Sequence, residues 1–522
     1  MMPPNTDGSG RGPVSIVRQS TTVTSGVAVT QKLVDASIAF GNILRRTYGP
    51  NGLDKMMYKS SGQTAVTSDG AKIVSELLVK HPAAKAFVSL AQSQENTCGD
   101  GVTSTVIIAS ELMREAGRLM AKNVHPLKIV EGFQRAHAVT EEIIEKRSKP
   151  LKNHLEAVCQ TAMSGRVSGD ERDFLAKLLH DLLLSQSSPD YEDIRMAKAD
   201  EGSVFDSNWF KGCIIEKRLS LDRFPHTLKS SKVMVLSCPL ELEKPSREAE
   251  IEISTPDQFR AFSQQEKTLL QEKWEKVIKT GVKAVFTSGS CDKTISHKLA
   301  DESILVVSDL HEDQLLDLAQ VFDCNIIDHL DDTEPSDLGN MLKYERMRLR
   351  DEEGFKEKHY FYGTPSSSLA TFVVGGNQGV SSEELIRTIY DALRSSCLAI
   401  AHDSVILGGG NLHIAAALEI RTIAEQQSGR ERLGMEAFAR ALEAIPSTLL
   451  DNAGTNKLDG LLKLRSKHRE NQDLAGIDEF GEVKNLMTAW DATEVTRQSI
   501  SIATETSCAL LRVDQVISAR GD

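Results

Sequence analysis

Cys98-Gly99-Asp100-Gly101-Val102-Thr103-Ser104 lies between two helical runs. After it, Val106, Ile107, Ala109, Leu112, Met113, Ala116, Leu119 and Met120 trace one apolar helical face. The Gly-Asp-Gly turn therefore opens a helix. Glycines let a backbone approach an anion closely, and a helix N-terminus presents unpaired N–H groups with a partial positive charge.

Two other turns share this character. A helix over about Thr30–Thr47, carried by Leu33, Val34, Ile38, Ile43 and Leu44, stops at Tyr48-Gly49-Pro50-Asn51-Gly52. Pro50 disfavours helical backbone before it, and Gly52 can supply a positive φ. Val405-Ile406-Leu407 runs as a strand into Gly408-Gly409-Gly410. Between the first two turns, Met56–Tyr58 and Thr64–Thr67 read as a β-hairpin across Lys59–Gly62, and Ser68 or Asp69 caps the next helix. No turn matches G-x-x-x-x-G-K-[ST] or G-x-G-x-x-G, so a bound nucleotide would be held by another scheme. Such a scheme needs acid oxygens for Mg²⁺ and a group that orients water. Asp69, Asp100 and Asp391 sit near predicted helix ends or glycine turns. Taken singly, Asp69 reads as a helix cap and Asp391 as a solvated helix residue. The histidines show no H-E-x-x-H spacing and no G-x-S-x-G elbow occurs, which leaves metal-assisted phosphate chemistry.

Composition narrows the field. The 522 residues suggest about three domains, and 61 Lys+Arg against 74 Asp+Glu leave a net charge of −13. An acidic total offers no footprint for nucleic acid or an anionic membrane. The 8 cysteines are scattered without a C-x-x-C pair, and neither a signal-peptide core nor an apolar membrane-spanning run occurs, so a cytoplasmic protein is expected. Residues up to about Thr24 are polar and read as a flexible or strand-adding arm. In the middle, Lys232–Leu236 and Ala284–Thr287 read as buried strands alternating with helices, the pattern of an inserted α/β domain. Thr255-Pro256-Asp257-Gln258 has capping-box spacing and opens a helix to about Lys279, bearing Phe259, Phe262, Leu269, Leu270 and Trp274. That helix either packs on its own domain or projects toward partners. From about Glu383 helices return.

In order, Arg46–Met56, Thr67–Ala71, His81–Lys85, Gly99–Ser104, Tyr390–Leu393, Leu407–Gly410, Ala444–Pro446, Asp451–Gly454 and Asp491–Val495 resemble the group II chaperonins, the family of the archaeal thermosome and the eukaryotic cytosolic chaperonin. The resemblance covers about residues 15–518. It implies a multidomain α and α/β chaperonin fold: a mostly helical equatorial domain (1–145 and 404–522), a small intermediate hinge domain (146–214 and 368–403), and an α/β apical domain (215–367). The helix near 254–282 becomes the apical helical protrusion, a built-in lid, so no separate lid protein is expected. The implied cofactors are ATP and Mg²⁺. Asp100 corresponds to the metal-binding acid, and Asp69 and Asp391 to the acids that position the hydrolytic water. Gly49, Pro50, Asn51, Gly101, Val102, Thr103, Ser104 and Gly409 fall at nucleotide-contacting positions, and Asp491 at the ribose. Four residues depart from the family pattern: Val102 for Thr, Asn51 for a frequent Lys, Arg166 for a Lys that senses the γ-phosphate, and His413 for Glu.

The implied function is an ATP-dependent chaperone subunit of stacked rings of identical or sister subunits that encloses non-native client proteins. The alternative is a scaffold or holdase subunit with little hydrolysis. The three acids favour the first, and Val102 with Arg166 favours the second. A small-molecule kinase is disfavoured because no acceptor site is evident.

Overall fold

The structure, a computed structural model, describes residues 23–25, 27–58, 64–79, 81–167, 169–200, 202–242, 256–351, 354–376, 380–470 and 472–517. The chain divides into two compact units, Met1–Arg172 with Asp391–Asp522, and Asp173–Tyr390.

The first unit is mainly helical and is built around helix Val102–Met120, whose Val106, Ile107, Ile108, Leu112 and Met113 are fully buried. Helices Val27–Arg45, Pro82–Cys98, Pro126–Arg147, Glu431–Leu442 and Thr493–Leu511 surround it or one another. Two of them begin with proline at a position whose N–H has no helical partner, while the preceding His81 and His125 rings accept from Ala83 N and Leu127 N. Backbone contact between Pro126–Arg147 and Glu431–Leu442 depends on paired glycines. A Cβ on Gly132 would fall 2.4 Å from the Glu431 carbonyl oxygen and 2.7 Å from Gly434 Cα.

Around this bundle lie short two-stranded sheets. Val23–Ser25 pairs antiparallel with Gln515–Ile517. The rest of the expected arm, residues 1–22, lies outside the described residues. Lys55–Tyr58 pairs with Thr64–Thr67 as the expected hairpin, with the turn residues 59–63 also outside. Its outer face leaves Met56 75% and Tyr58 76% exposed. Val405–Leu407 pairs with Trp490–Ala492, and Ala475–Ile477 with Val483–Asn485.

The second unit is α/β, as its alternating pattern predicts. Ser231–Leu236, Ala284–Thr287 and Leu305–Val307 run parallel with Ile326–Ile327, and Gly339–Met341 is added antiparallel. A second sheet orders Ile194–Lys198, Ala370–Val374, Asn208–Glu216, Gly354–Tyr362, Lys343–Asp351 and Thr227–Leu228. Helix Pro256–Lys279 has the predicted length, and Thr255 of the expected capping box is outside the described residues. Its apolar stripe is divided between a packed end and an open one. Leu270 and Val277 are buried toward its C-terminal end, whereas Phe259 is 61% and Phe262 40% exposed near its start. Among the described residues no helix is long and apolar enough to cross a membrane, and the eight cysteines are free thiols.

Candidate functional site

The first unit encloses a cavity of about 520 Å³, within the range of small-ligand sites, roughly 300–1,000 Å³. Glycine turns and helix starts form one wall. Gly99 and Gly101 both take left-handed backbone (φ 69° and 81°), so the chain reverses between helices Pro82–Cys98 and Val102–Met120 and leaves Asp100 at the turn. Helix Gly70–Glu76 starts at the same place, since a Cβ on Gly70 would lie 2.4 Å from Thr103 Oγ1 and 3.2 Å from Thr103 N. Two helix N-termini therefore converge, concentrating N–H donors and positive dipole ends.

The turn after the first helix is a correction to the sequence reading. Gly49, not Gly52, has the positive φ (81°). Gly52 N donates to the Gly49 carbonyl at 2.9 Å and Leu53 N to the Arg46 carbonyl at 2.8 Å. This closure brings Gly52 so near the Thr47 carbonyl oxygen that a Cβ would fall 2.3 Å from it. Close approach is what requires glycine at 52.

Two of the carboxylates stand at these helix starts, and a third comes from another helix. Asp69 caps helix Gly70–Glu76 by accepting from Ala71 N (3.0 Å) and Lys72 N (3.3 Å), so it is a helix cap and also lines the cavity. Asp100 Oδ1 accepts from Gly101 N at 2.6 Å, and its carbonyl accepts from Gln94 Nε2 at 2.8 Å. Asp391, on helix Val380–Ala401, is buried rather than solvated and accepts from Arg166 Nη1 at 2.5 Å. Burial, then the neighbouring Asp69 and Asp100, raise the Asp391 carboxyl well above the usual range, against the pull of Arg166. Asp100 is raised by burial too, with Arg166 opposing. Burial works against the charge of Arg166, but Asp391, Asp69 and Asp100 outweigh it and hold the guanidinium more firmly protonated.

The other end of the cavity is more apolar. Gly409 (φ 61°) touches the hairpin Ala475–Asn485 so closely that a Cβ would lie 2.4 Å from Leu486 Cδ1 and 2.6 Å from the Ile477 carbonyl oxygen. Ile477 N donates to the Gly409 carbonyl at 2.9 Å. Leu449, Ile477, Leu486 and Met487 line this end. Asp491, opposite Ile406 across the two-stranded sheet, also lines the cavity. Its carboxyl is pushed up to about 7 by burial and then by Asp100. Trp490 beside it stacks on His154 (centroids 4.2 Å apart), lies under Lys149 Nζ at 5.2 Å, and donates its backbone N–H to Thr161 Oγ1 at 3.1 Å.

Residues 40–521 match the TCP-1/cpn60 chaperonin family. The chain belongs to this family, in its group II branch. This chaperonin is 32% identical to a thermosome subunit of Methanopyrus kandleri over 491 residues, 91% of this chain and 89% of the relative. Against Archaeoglobus fulgidus it is 31% identical to thermosome subunit alpha over 523 residues and 30% identical to subunit beta over 523 residues, each spanning 98% of this chain and 95% of the relative.

Of the residues singled out from the chaperonin's sequence, Gly49, Pro50, Asp69, Asp100, Gly101, Val102, Thr103, Ser104, Asp391, Gly409 and Asp491 all line the one cavity. Asn51 does not. It lines an adjoining recess and donates Nδ2 to the Glu479 carbonyl at 2.6 Å, joining the Gly49–Gly52 loop to the tip of the Ala475–Asn485 hairpin. Arg166 and His413, noted in the sequence as departures, line the main cavity as well. Glu95, Lys484 and the apolar hairpin residues were missed. Glu95 falls five residues before Asp100, in the last turn of the helix that leads to it, the only sequence signal that could have marked it.

Proposed function

We propose that this chaperonin subunit binds and hydrolyses Mg-ATP in the cavity of its first unit, and that the cycle drives a double ring to enclose and fold non-native polypeptides. The observation that carries this reading is the convergence of Asp69, Asp100 and Asp391 on two helix N-termini within one cavity. The glycine-turn amides and the Thr103 and Ser104 hydroxyls spread the phosphate charge, while the apolar end accepts the base and Asp491 the ribose. Asp69 and Asp391 hold and polarise the attacking water, so catalysis is mostly positioning and electrostatics.

The donor set fits Mg²⁺. Among the described residues no three His, Cys, Asp or Glu side chains converge as a metal cage, and Mg²⁺ ordinarily takes one or two carboxylates with phosphate oxygens and water. Asp100 supplies such a carboxylate, in a buried group of acids that has Arg166 as its close cation. Bound there, the ion would neutralise phosphate charge and orient the triphosphate.

For assembly, we propose three nested domains: equatorial (1–145, 404–522), intermediate (146–214, 368–403) and apical (215–367). The exposed Lys55–Tyr58/Thr64–Thr67 hairpin and the Val23–Ser25/Gln515–Ile517 pair both carry open strand edges, suited to pairing with a neighbouring subunit. Relatives named alpha and beta in one organism support sister subunits. Helix Pro256–Lys279, with Phe259 and Phe262 exposed, is the proposed lid and client contact. The test is electron microscopy of the purified assembly with single-turnover phosphate release, with and without Mg²⁺. Rings with Mg²⁺-dependent release are expected. Rings that bind ATP and release no phosphate would favour the holdase alternative.

A further inference from the structure

Helix Val380–Ala401 brings a second charged residue to the site. Arg394 lies three residues after Asp391 and so on the same helical face. Its Nη2 donates to the Asn96 carbonyl at 3.0 Å, and its Nη1 reaches Glu95 Oε1 at 3.4 Å. Asn96 is in the last turn of helix Pro82–Cys98, where carbonyls lack helical partners and the dipole is negative. The helix that ends there leads directly into Gly99-Asp100-Gly101. The guanidinium lies against the turn itself: a Cβ on Gly99 would fall 2.4 Å from Arg394 Nε, 2.5 Å from Cδ and 2.6 Å from Cζ. Only glycine leaves room for that contact. The side chain is 10% exposed, so these contacts are shielded from water.

We infer that Arg394 is a positioning residue for hydrolysis: it ties the helix carrying Asp391 to the turn carrying Asp100, and so fixes the water-orienting acid relative to the metal-binding acid. This rests on the hydrolytic reading above. The two carboxylates come from segments almost three hundred residues apart, and they must keep a common geometry for one water to attack one phosphate. Arg394 spans the junction directly, one helical turn from Asp391 and in contact with the residue before Asp100. Arg166 has a different task, because it bonds to the Asp391 carboxylate itself. Releasing Arg394 leaves the charges of Asp69, Asp100 and Asp391 in place and loosens their mutual position. Misplacement of this kind lowers the chemical rate while ground-state binding persists.

The test uses Arg394→Gln and Arg394→Lys in the full assembly, with Mg-ATP affinity by calorimetry and single-turnover phosphate release. Arg394→Gln should bind within about threefold of the parent and release phosphate about 10- to 100-fold more slowly. Arg394→Lys, which keeps the charge and one donor, should recover part of the rate. A structural role alone would lower affinity, rate and melting temperature together without that rescue, and this result would overturn the assignment. So would a parental rate in Arg394→Gln. Should the Gln variant fail to assemble, the Lys variant decides: a reduced rate at unchanged affinity supports the role, and a parental rate removes it. A parent assembly that releases no phosphate would sink the hydrolytic reading and Arg394 with it, whereas release by the parent and equally by the variants sinks only Arg394.

Discussion

Replacing Asp391 with Asn should separate binding from hydrolysis. The substitution keeps size and a carbonyl oxygen to accept from Arg166, but removes the charge that polarises the water. In the native protein the pair is close (2.5 Å) and shielded, with the Arg166 side chain 18% and Asp391 9% exposed. Losing one partner of a buried pair ordinarily costs about 3–5 kcal/mol. Here Asp69 and Asp100 still face Arg166, and the burial penalty on the Asp391 charge disappears, so the net change in stability should stay within about 2 kcal/mol. Mg-ATP affinity should be unchanged or tighter, because a negative charge near the phosphates has gone. Loss of a proton-handling group costs about 10²- to 10⁴-fold in rate, or about 3–5 kcal/mol in barrier at roughly 1.4 kcal/mol per tenfold. Calorimetry and single-turnover phosphate release on the same assembly measure both quantities. Hydrolysis within threefold of the parent, or an affinity loss matching the rate loss, would refute the assignment.

Two buried groups predict opposing pH dependence in the nucleotide-free protein. Folded Asp491, raised to about 7, keeps a proton that the unfolded chain has lost, so it makes stability fall from about pH 4 to 7, whereas folded His413, lowered to about 4 by burial, refuses a proton that the unfolded chain takes, so it makes stability rise from about pH 4 to 6.5. Melting temperature against pH should accordingly slope more steeply upward in Asp491→Asn and downward in His413→Gln, and parallel curves for parent and both variants would contradict this. Val102 starts its helix at the cavity wall with a methyl where a hydroxyl could contact phosphate or metal-bound water; Val102→Thr should raise turnover by up to about tenfold, the scale of one hydrogen bond of about 1–1.5 kcal/mol, and a fall would show that the site has compensated elsewhere. Asn51→Ala removes the bond to the Glu479 carbonyl and should speed release of a fluorescent ADP analogue in stopped flow, an effect that an unchanged rate would rule out.

What the sequence carried was local. The Gly-Asp-Gly turn, the cap at Asp69 and the strand into Gly408-Gly409-Gly410 depend on neighbouring residues, and each is legible from a few positions. Gly49 and Gly52 mark the limit of that reading: either glycine satisfies a turn, and only the return of Leu53 to Arg46 assigns the positive φ to the first. Asp391 read as solvated because nothing within its helix announces Arg166, which lies 225 residues away. Arg394 and Glu95 are separated by 299 residues, and on an amphipathic helix an arginine looks like any solvated charge. The hairpin residues Ile477 and Leu486 carry no motif, since an apolar binding surface needs shape rather than particular side chains. The mixed fate of helix Pro256–Lys279, buried at Leu270 and Val277 and open at Phe259 and Phe262, is likewise a matter of what packs where, which a uniform apolar stripe does not encode.

The setting of Trp490 gives the protein its own optical probe. The chain has 3 tryptophans, and the other two, Trp209 and Trp274, belong to the Asp173–Tyr390 unit. Trp490 has both the His154 ring and the Lys149 ammonium against its indole, and its backbone is joined to Thr161 at the foot of the loop that carries Arg166, next to Asp491. With Trp209 and Trp274 replaced by phenylalanine, indole emission would come from this one ring next to the cavity, where a change in ring contacts alters quantum yield and a change in polarity alters wavelength. Nucleotide arrival at the proposed ribose end and movement of the Arg166 loop could then be followed in real time without an attached dye.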